Sequence, residues 1–510
     1  MPALSSSSKI TIRVLYPLLL ITIILVVFWV QVPNLFSKSM WPDEALFGWY
    51  AKQIAACPLM IFSKEINEFH PPLFAGLLAL VHFFIPHESV YRFFSLLMSL
   101  LGIYLIYRIG EKLKDQFTGL YAAMNLAFNI LYLGYSTRIL IDNTLIVMVL
   151  FFAHSMLNLD ASFKKQFMIS LTGCLIILLK WPGILIIPFL IMYALLSPHP
   201  LHLKDKLKTI RTPLFAFSMV ILYLLIGNYL ILRHVLPDIS ALEGRYRIHP
   251  FWYYIMDLPV ILTPLPFLVP FFIYGFFMNL RNPLLVSWLL VFLSGISSVP
   301  EKDLRYSLLV IPVIILISCL GLSALIETRF KSQKQQSVIK IITVIIIMVF
   351  YFALLPRTQK FLHKKSETFT GFQEAGEWIK KEGLPNAMVL ASSARAIRYY
   401  SNIEFAKYGG QIRLLPALQS TFEDIVKHTQ GPIFVEIDFW EKNIQPKWLY
   451  PISNTTQLYM ASLGFKPALT IRQKIYSGNG PEQMMPVVWI FKRLKTLPDG
   501  KVASNTHIQY

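Results

Sequence analysis

Long apolar runs broken by short polar clusters set the pattern of this chain. Val14 to Val30 carries no charged residue, and a helix needs roughly 17–25 such residues to cross a bilayer core. Comparable runs predict eleven spanning helices, at about 14–31, 91–110, 117–136, 143–159, 167–179, 183–197, 212–232, 259–278, 284–299, 307–326 and 338–355. Several are short, which predicts tilted or broken helices. The first run outlasts the ~7–15 apolar residues of a signal peptide, and Gln31-Val32-Pro33-Asn34 offers no small-residue cleavage site, so it reads as a retained span. Leu73 to Ile85, bounded by Pro71-Pro72 and Pro86, is too short to cross. It reads as a helix lying at the interface, within an extracytoplasmic loop 32–90.

After residue 355 the pattern changes. Phe372, Ala375, Trp378 and Ile379 have helical spacing, while Ala387–Ala391, Pro432–Ile437 and Val487–Phe491 read as buried strands. The chain therefore divides into a transmembrane domain, 1–355, and a soluble α/β domain, 356–510. The fold class expected is a polytopic α-helical membrane protein with a C-terminal extracytoplasmic α/β domain.

Charge supplies the orientation. Alternate loops gather Lys9 and Arg13; Arg108, Lys112 and Lys114; Lys204, Lys206, Lys208 and Arg211; and Arg329, Lys331, Lys334 and Lys340. Such loops are cytoplasmic by the positive-inside rule, which puts the N-terminus inside and the C-terminal domain outside. Composition agrees: 55% of the residues are hydrophobic and 15% charged, against about 25% charged in soluble domains. Basic loops of this kind are ordinary in membrane proteins, so the formal charge of +19 gives no reason to expect nucleic acid. Cys57, Cys174 and Cys319 form no disulfide or metal framework.

The chemistry-bearing residues form four clusters, which this topology puts on one outer face. They are Trp41-Pro42-Asp43-Glu44 with Glu68-Phe69-His70-Pro71-Pro72; Arg138 with Asp142; the loop Glu243 to His249, holding Arg245 and Arg247; and Glu301-Lys302-Asp303-Leu304-Arg305-Tyr306. Ionisable groups at a membrane edge mark function by default. Carboxylates can take the proton of an acceptor hydroxyl, and guanidinium, ammonium, imidazole and phenol groups can hold a leaving phosphate. This combination fits displacement at a sugar's anomeric carbon. Each residue also has a plainer role. Asp43 could cap a helix, Glu44 could serve its dipole, and Arg138 and Asp142 could be an ion pair one helical turn apart. Lys180-Trp181-Pro182 reads as an interfacial anchor, and His82 as a packed residue. A divalent metal could use Asp43, Glu68, Asp142 or His249, but no compact ligand spacing exists; no other cofactor is expected.

The order of these motifs resembles the protein O-mannosyltransferase superfamily of multi-spanning C-type glycosyltransferases, which includes the lipid A aminoarabinose transferases. The resemblance rests on Asp43-Glu44 after the first span, His70-Pro71-Pro72-Leu73, Arg92 with Ser95, Arg138 with Asp142, and Lys302 with Arg305-Tyr306. It covers about 10–330. It implies that Asp43 is the catalytic base, that Glu44 helps bind the acceptor and that Asp142 is a second acidic site. It implies also that His70, Arg305 and Tyr306 contact a carrier phosphate. Arg138, Arg245, Arg247 and Lys302 join these as substrate-binding candidates. Aminoarabinose transferases carry Lys where this chain has His70, which favours the mannosyltransferase-like branch. The expected function is transfer of a sugar from a polyprenyl-phosphate donor to a protein, lipid or glycan acceptor, with inversion, among membrane lipids. The rival is a transporter or flippase of a lipid-linked saccharide. It is disfavoured because the acids gather at one face rather than at midplane half-helices.

Overall fold

The computed structural model describes residues 6–36, 39–157, 162–197, 203–232, 249–264, 266, 268–299, 302–382, 386–402, 410–441, 445–476 and 482–493. The chain forms two compact units: Met1–Phe36 with Tyr50–Leu362, and Ser37–Trp49 with His363–Tyr510. This division differs from the boundary expected at 355. The apolar helix Gln333–Ser366 continues past it, and the segment carrying Asp43 groups with the C-terminal residues.

The first unit is helical. All eleven apolar runs carry helices, several of them broken as their lengths suggested. The run 117–136 divides into Gln116–Ala127 and Ile130–Tyr135, because Asn129 starts a new helix by accepting the Tyr132 N–H. Among the described residues, five helices are long and apolar enough to cross a membrane: Leu15–Phe36, Glu88–Leu113, Leu207–Ile231, Ile311–Arg329 and Gln333–Ser366. Leu73–Phe84 is a separate short helix. The first helix buries Tyr16, Leu20, Ile23 and Val27 and exposes Leu18, Ile21, Leu25 and Trp29. Phe93, Leu97, Leu101 and Tyr104 form a similar exposed stripe on Glu88–Leu113. Apolar stripes at helical spacing that stay uncovered are the faces a bilayer solvates. Inside, small residues let backbones meet. A Cβ on Gly275 would lie 2.1 Å from the Ile317 carbonyl oxygen, and one on Gly321 would lie 2.3 Å from that of Phe271. Only glycine lets Leu268–Met278 and Ile311–Arg329 cross so closely.

The second unit has a five-stranded sheet, β1 Met388–Ala391, β2 Gln411–Leu414, β3 Ile433–Asp438, β4 Lys466–Tyr476 and β5 Glu482–Arg493, in the order β2-β1-β3-β5-β4. β2, β1 and β3 are parallel, with Val389 opposite Ile412 and Phe434. β5 runs antiparallel to β3 and β4. β1 and β3 are buried apolar runs and were legible in the sequence. The edge strands β2 and β4 were not: β2 is four residues long and mostly exposed, and β4 mixes polar with apolar residues. The core includes Leu390, Phe422, Val435, Ile437, Leu449, Met460, Phe465 and Phe491. The helix Ala394–Ser401 leads from β1 to β2 on one side, and Gln419–His428 leads from β2 to β3 on the other. The carboxyl ends of β1 and β3 therefore frame a topological switch point, where open α/β sheets hold their ligands.

Candidate functional site

In the helical unit, Asp142 sits in the first turn of Ile141–Met156, where the partial positive charge of a helix N-terminus favours a carboxylate. Arg138 does not share that helix. The chain turns between Ser136 and Leu140, and the Asn143 side-chain amide holds the turn by donating to the carbonyls of Tyr135 and Arg138. Arg138 and Asp142 are therefore not spaced one turn apart on a shared helix, as the sequence suggests. Asp142 accepts from Lys180 Nζ at 2.7 Å, and both side chains are about nine-tenths buried.

Lys180 reaches Asp142 because its own helix stops. Phe163–Leu179 ends at Lys180, which is extended, and Pro182 follows in a short 3₁₀ turn, Trp181–Leu185. Gly183 lets this turn fold back. A Cβ there would lie 2.3 Å from the Ile176 carbonyl oxygen. The sequence suggests an interfacial anchor at Lys180, whereas the fold buries it against Asp142. Its only sequence signal was a lone charge between two apolar runs, followed by Trp-Pro.

Arg305 and Tyr306 lie on a third element, the 3₁₀ turn Leu304–Leu309, which packs on the Ile141–Met156 helix. Asp303 caps the turn by accepting the Arg305 N–H at 2.9 Å, and its Oδ2 lies 3.4 Å from Arg305 Nε. Two cations lie near the Tyr306 ring, Lys180 Nζ 5.1 Å and Arg305 Cζ 5.4 Å from its centroid. Arg305 and His70 are both near enough to act electrostatically on Asp142. The structure therefore gathers Asp142, Lys180, Arg305, Tyr306 and His70. Lys302 serves the backbone, donating to the carbonyls of His249 at 3.0 Å and Val299 at 2.7 Å. Arg245 and Arg247 lie outside the described residues.

Asp43 and Glu44 belong to the second unit, in the first turn of Pro42–Ala56. Glu44 is buried and closes half of a capping box, its Oε2 accepting the Trp41 N–H at 2.8 Å. Asp43 is more than a third exposed and accepts from Arg395 Nη1 at 2.7 Å. Other bonds fasten the same segment. The Met40 N–H donates to the Tyr400 hydroxyl at 2.8 Å, and Trp41 Nε1 donates to Thr368 Oγ1 at 2.9 Å. Arg395 opens the helix after β1, beside Ser392 and Ser393.

Next to it, at the ends of β1 and β3, three acids stand together. The Ser393 hydroxyl lies 2.7 Å from Glu441 Oε2 and 3.0 Å from Asp438 Oδ2, and Asp438 Oδ1 accepts the Glu441 N–H at 2.7 Å. Glu436 Oε2 accepts the Ser393 N–H at 3.3 Å. Burial pushes Glu441 up to about 7, helped by Asp438, and pushes Asp438 up to about 6. Burial, then Asp438, holds Glu436 well above the usual carboxylate range. Neither Arg395 nor these acids stood out in the sequence. Among the described residues no three His, Cys, Asp or Glu form a metal-holding group.

Residues 69–226 match the family model described as dolichyl-phosphate-mannose-protein mannosyltransferase. The fold is similar to that of ArnT from Cupriavidus metallidurans in the apo state, with a TM-score of 0.60 at 14% identity over 92% of this chain and 97% of that one. The same protein bound to undecaprenyl phosphate gives a TM-score of 0.57 at 14% identity, over 93% of this chain and 98% of that one. The oligosaccharyltransferase AglB from Archaeoglobus fulgidus, in complex with an inhibitory peptide and a dolichol-phosphate, gives 0.57 at 11% identity over 93% of this chain and 74% of that one. No curated protein matches the sequence significantly. Part of the chain, residues 69–226, thus matches the mannosyltransferase family model, and the fold along most of the chain is similar to that of these solved structures.

Proposed function

We propose that this protein transfers a sugar from a polyprenyl-phosphate carrier to a hydroxyl acceptor on the extracytoplasmic face of its membrane, with inversion at the anomeric carbon. The observation that carries this reading is the buried Asp142–Lys180 pair with Tyr306 and Arg305 around it. A buried ion pair is a poor stabiliser, since desolvation offsets most of its attraction. Within an apolar helical unit it is better explained as a receptor for a charged group. Lys180, Arg305, Tyr306 and His70 offer cationic and hydrogen-bonding groups suited to a lipid phosphate. The solved relatives bound to undecaprenyl phosphate or a dolichol-phosphate support that ligand class.

In the reaction, Asp43 takes the proton of the acceptor hydroxyl as its oxygen attacks the anomeric carbon. The bond from that carbon to the phosphate oxygen breaks, and the phosphate keeps the electron pair. Lys180 and Arg305 hold the charge that grows there, Arg305 through its planar fork. Asp142 holds the Lys180 ammonium in place. Glu44 supports Asp43 by fixing the start of its helix.

Cells lacking the protein should accumulate the carrier-linked sugar, detectable by mass spectrometry of their lipids. Complementation with Asp43→Asn, which keeps size and removes the base, should leave the accumulation in place. Loss of a general base costs about 10²–10⁴ in rate. A folded Asp43→Asn protein that clears the lipid at the normal rate refutes the assignment. Clearance from one leaflet with no new glycosidic bond would mark a transporter.

A further inference from the structure

We propose that Arg395, from the C-terminal unit, is the positioning residue for Asp43, and that the acid Glu441 sets how firmly Arg395 holds it. The proposal rests on Asp43 being the base and adds what aims it.

A catalytic carboxylate must point its lone pair at a hydroxyl within a few tenths of an ångström, and a 1 Å misplacement can cost about 10²-fold in rate. The Asp43 backbone is fixed by its segment: Met40 bonds to Tyr400, Trp41 to Thr368, and Gly48 lies against Tyr399, whose ring a Cβ there would meet at 2.7 Å. The side chain is more than a third exposed, and Arg395 Nη1 holds it at 2.7 Å. Its own place is set by the sheet, because Arg395 is the second residue of the Ala394–Ser401 helix leaving β1. The position at which open α/β sheets hold a ligand is thus turned toward a segment of the same chain.

Glu441 acts on the same guanidinium. Arg395 and Asp43 both interact electrostatically with it, as do Asp438 and Glu436, and the Ser393 hydroxyl is 2.7 Å away. Ser393 has one proton to donate, yet it stands within 3.0 Å of both Glu441 and Asp438. When Glu441 is protonated it can donate to Ser393, which donates to Asp438, and all three are satisfied. When Glu441 ionises, one carboxylate loses that donor and the new charge draws on Arg395. The Asp43 charge is then less neutralised, and Asp43 takes a proton more readily.

The test uses full-length protein in proteoliposomes. The donor is the carrier-linked sugar extracted from cells lacking the protein, and the acceptor is the envelopes of those cells. Arg395→Met should lower kcat about 10–100-fold and leave the donor KM within about twofold; Arg395→Lys should recover part of the rate. Added to Asp43→Asn, Arg395→Met should cause no further loss. The wild-type kcat should rise with pH through an ionisation near 7, and Glu441→Gln should remove that rise. Wild-type kcat in Arg395→Met with Asp43→Asn inactive overturns the positioning role and leaves the base assignment standing. A raised donor KM at unchanged kcat overturns it too. Activity in Asp43→Asn defeats the base assignment itself. If Arg395→Met fails to fold, Glu441→Gln decides, and a wild-type pH profile in that variant overturns the proposal.

Discussion

Lys180 and Asp142 show how a single residue's role depends on its partner. They are 38 positions apart, and their bond of 2.7 Å is buried. Removing one partner leaves a charge without its main counter-ion in an apolar unit, at a cost of order 3 kcal/mol. Lys180→Met should therefore lower the melting temperature of the purified protein and abolish transfer. Asp142→Asn combined with Lys180→Met should recover much of the stability, because neither charge is then buried, yet stay inactive. A double variant that regains turnover would make the pair purely structural. Glu44 is the contrasting case: its carboxylate is used on the Trp41 N–H, so its assignment to acceptor binding is best read as indirect.

Among the elements, the broken helices carry the residues of the proposed phosphate site. Lys180 follows the end of Phe163–Leu179, Asp142 begins Ile141–Met156, and Arg305 and Tyr306 lie on a 3₁₀ turn before Ile311–Arg329. Each break frees a polar side chain from a regular apolar helix and aims it inward. Gly183 makes one break possible. A Cβ there meets the Ile176 carbonyl, a backbone atom that no rotamer change can move. Gly183→Ala should cost about 1–3 kcal/mol by overpacking. It should also raise the donor KM, because Lys180 is shifted with the turn. A normal KM with a lowered melting temperature would separate packing from function. The Trp-Pro-Gly sequence signalled a break, but not which carboxylate the break would face.

For the whole molecule, the predicted orientation awaits a direct test. An N-terminus in the cytoplasm and a C-terminal unit outside require that exposed residues of that unit react from outside intact cells. Ser392 and Ser401 are buried in the unit and unsuitable as probes. Ser420 and Ser462 are exposed. Cysteines placed there should react with a membrane-impermeant maleimide in intact cells. Labelling that appears only after the cytoplasm is opened would invert the topology and remove the extracytoplasmic reaction with it.

Local pattern was enough for the membrane class, the helices, the buried strands β1 and β3, and the acids and cations at helix ends, because runs of apolar residues and isolated charges are properties of neighbours along the chain. Through the motif order it also nominated Asp43, His70, Asp142, Arg305 and Tyr306 as site residues. It did not reach the edge strands, whose side chains are half in solvent and carry no clear period. Nor did it reach Lys180 or Arg395. Asp43 and Arg395 are 352 positions apart, and an ion pair leaves no local trace when its partners come from different elements. Which acid meets which cation was decided by tertiary structure alone, since only the folded backbone sets those distances.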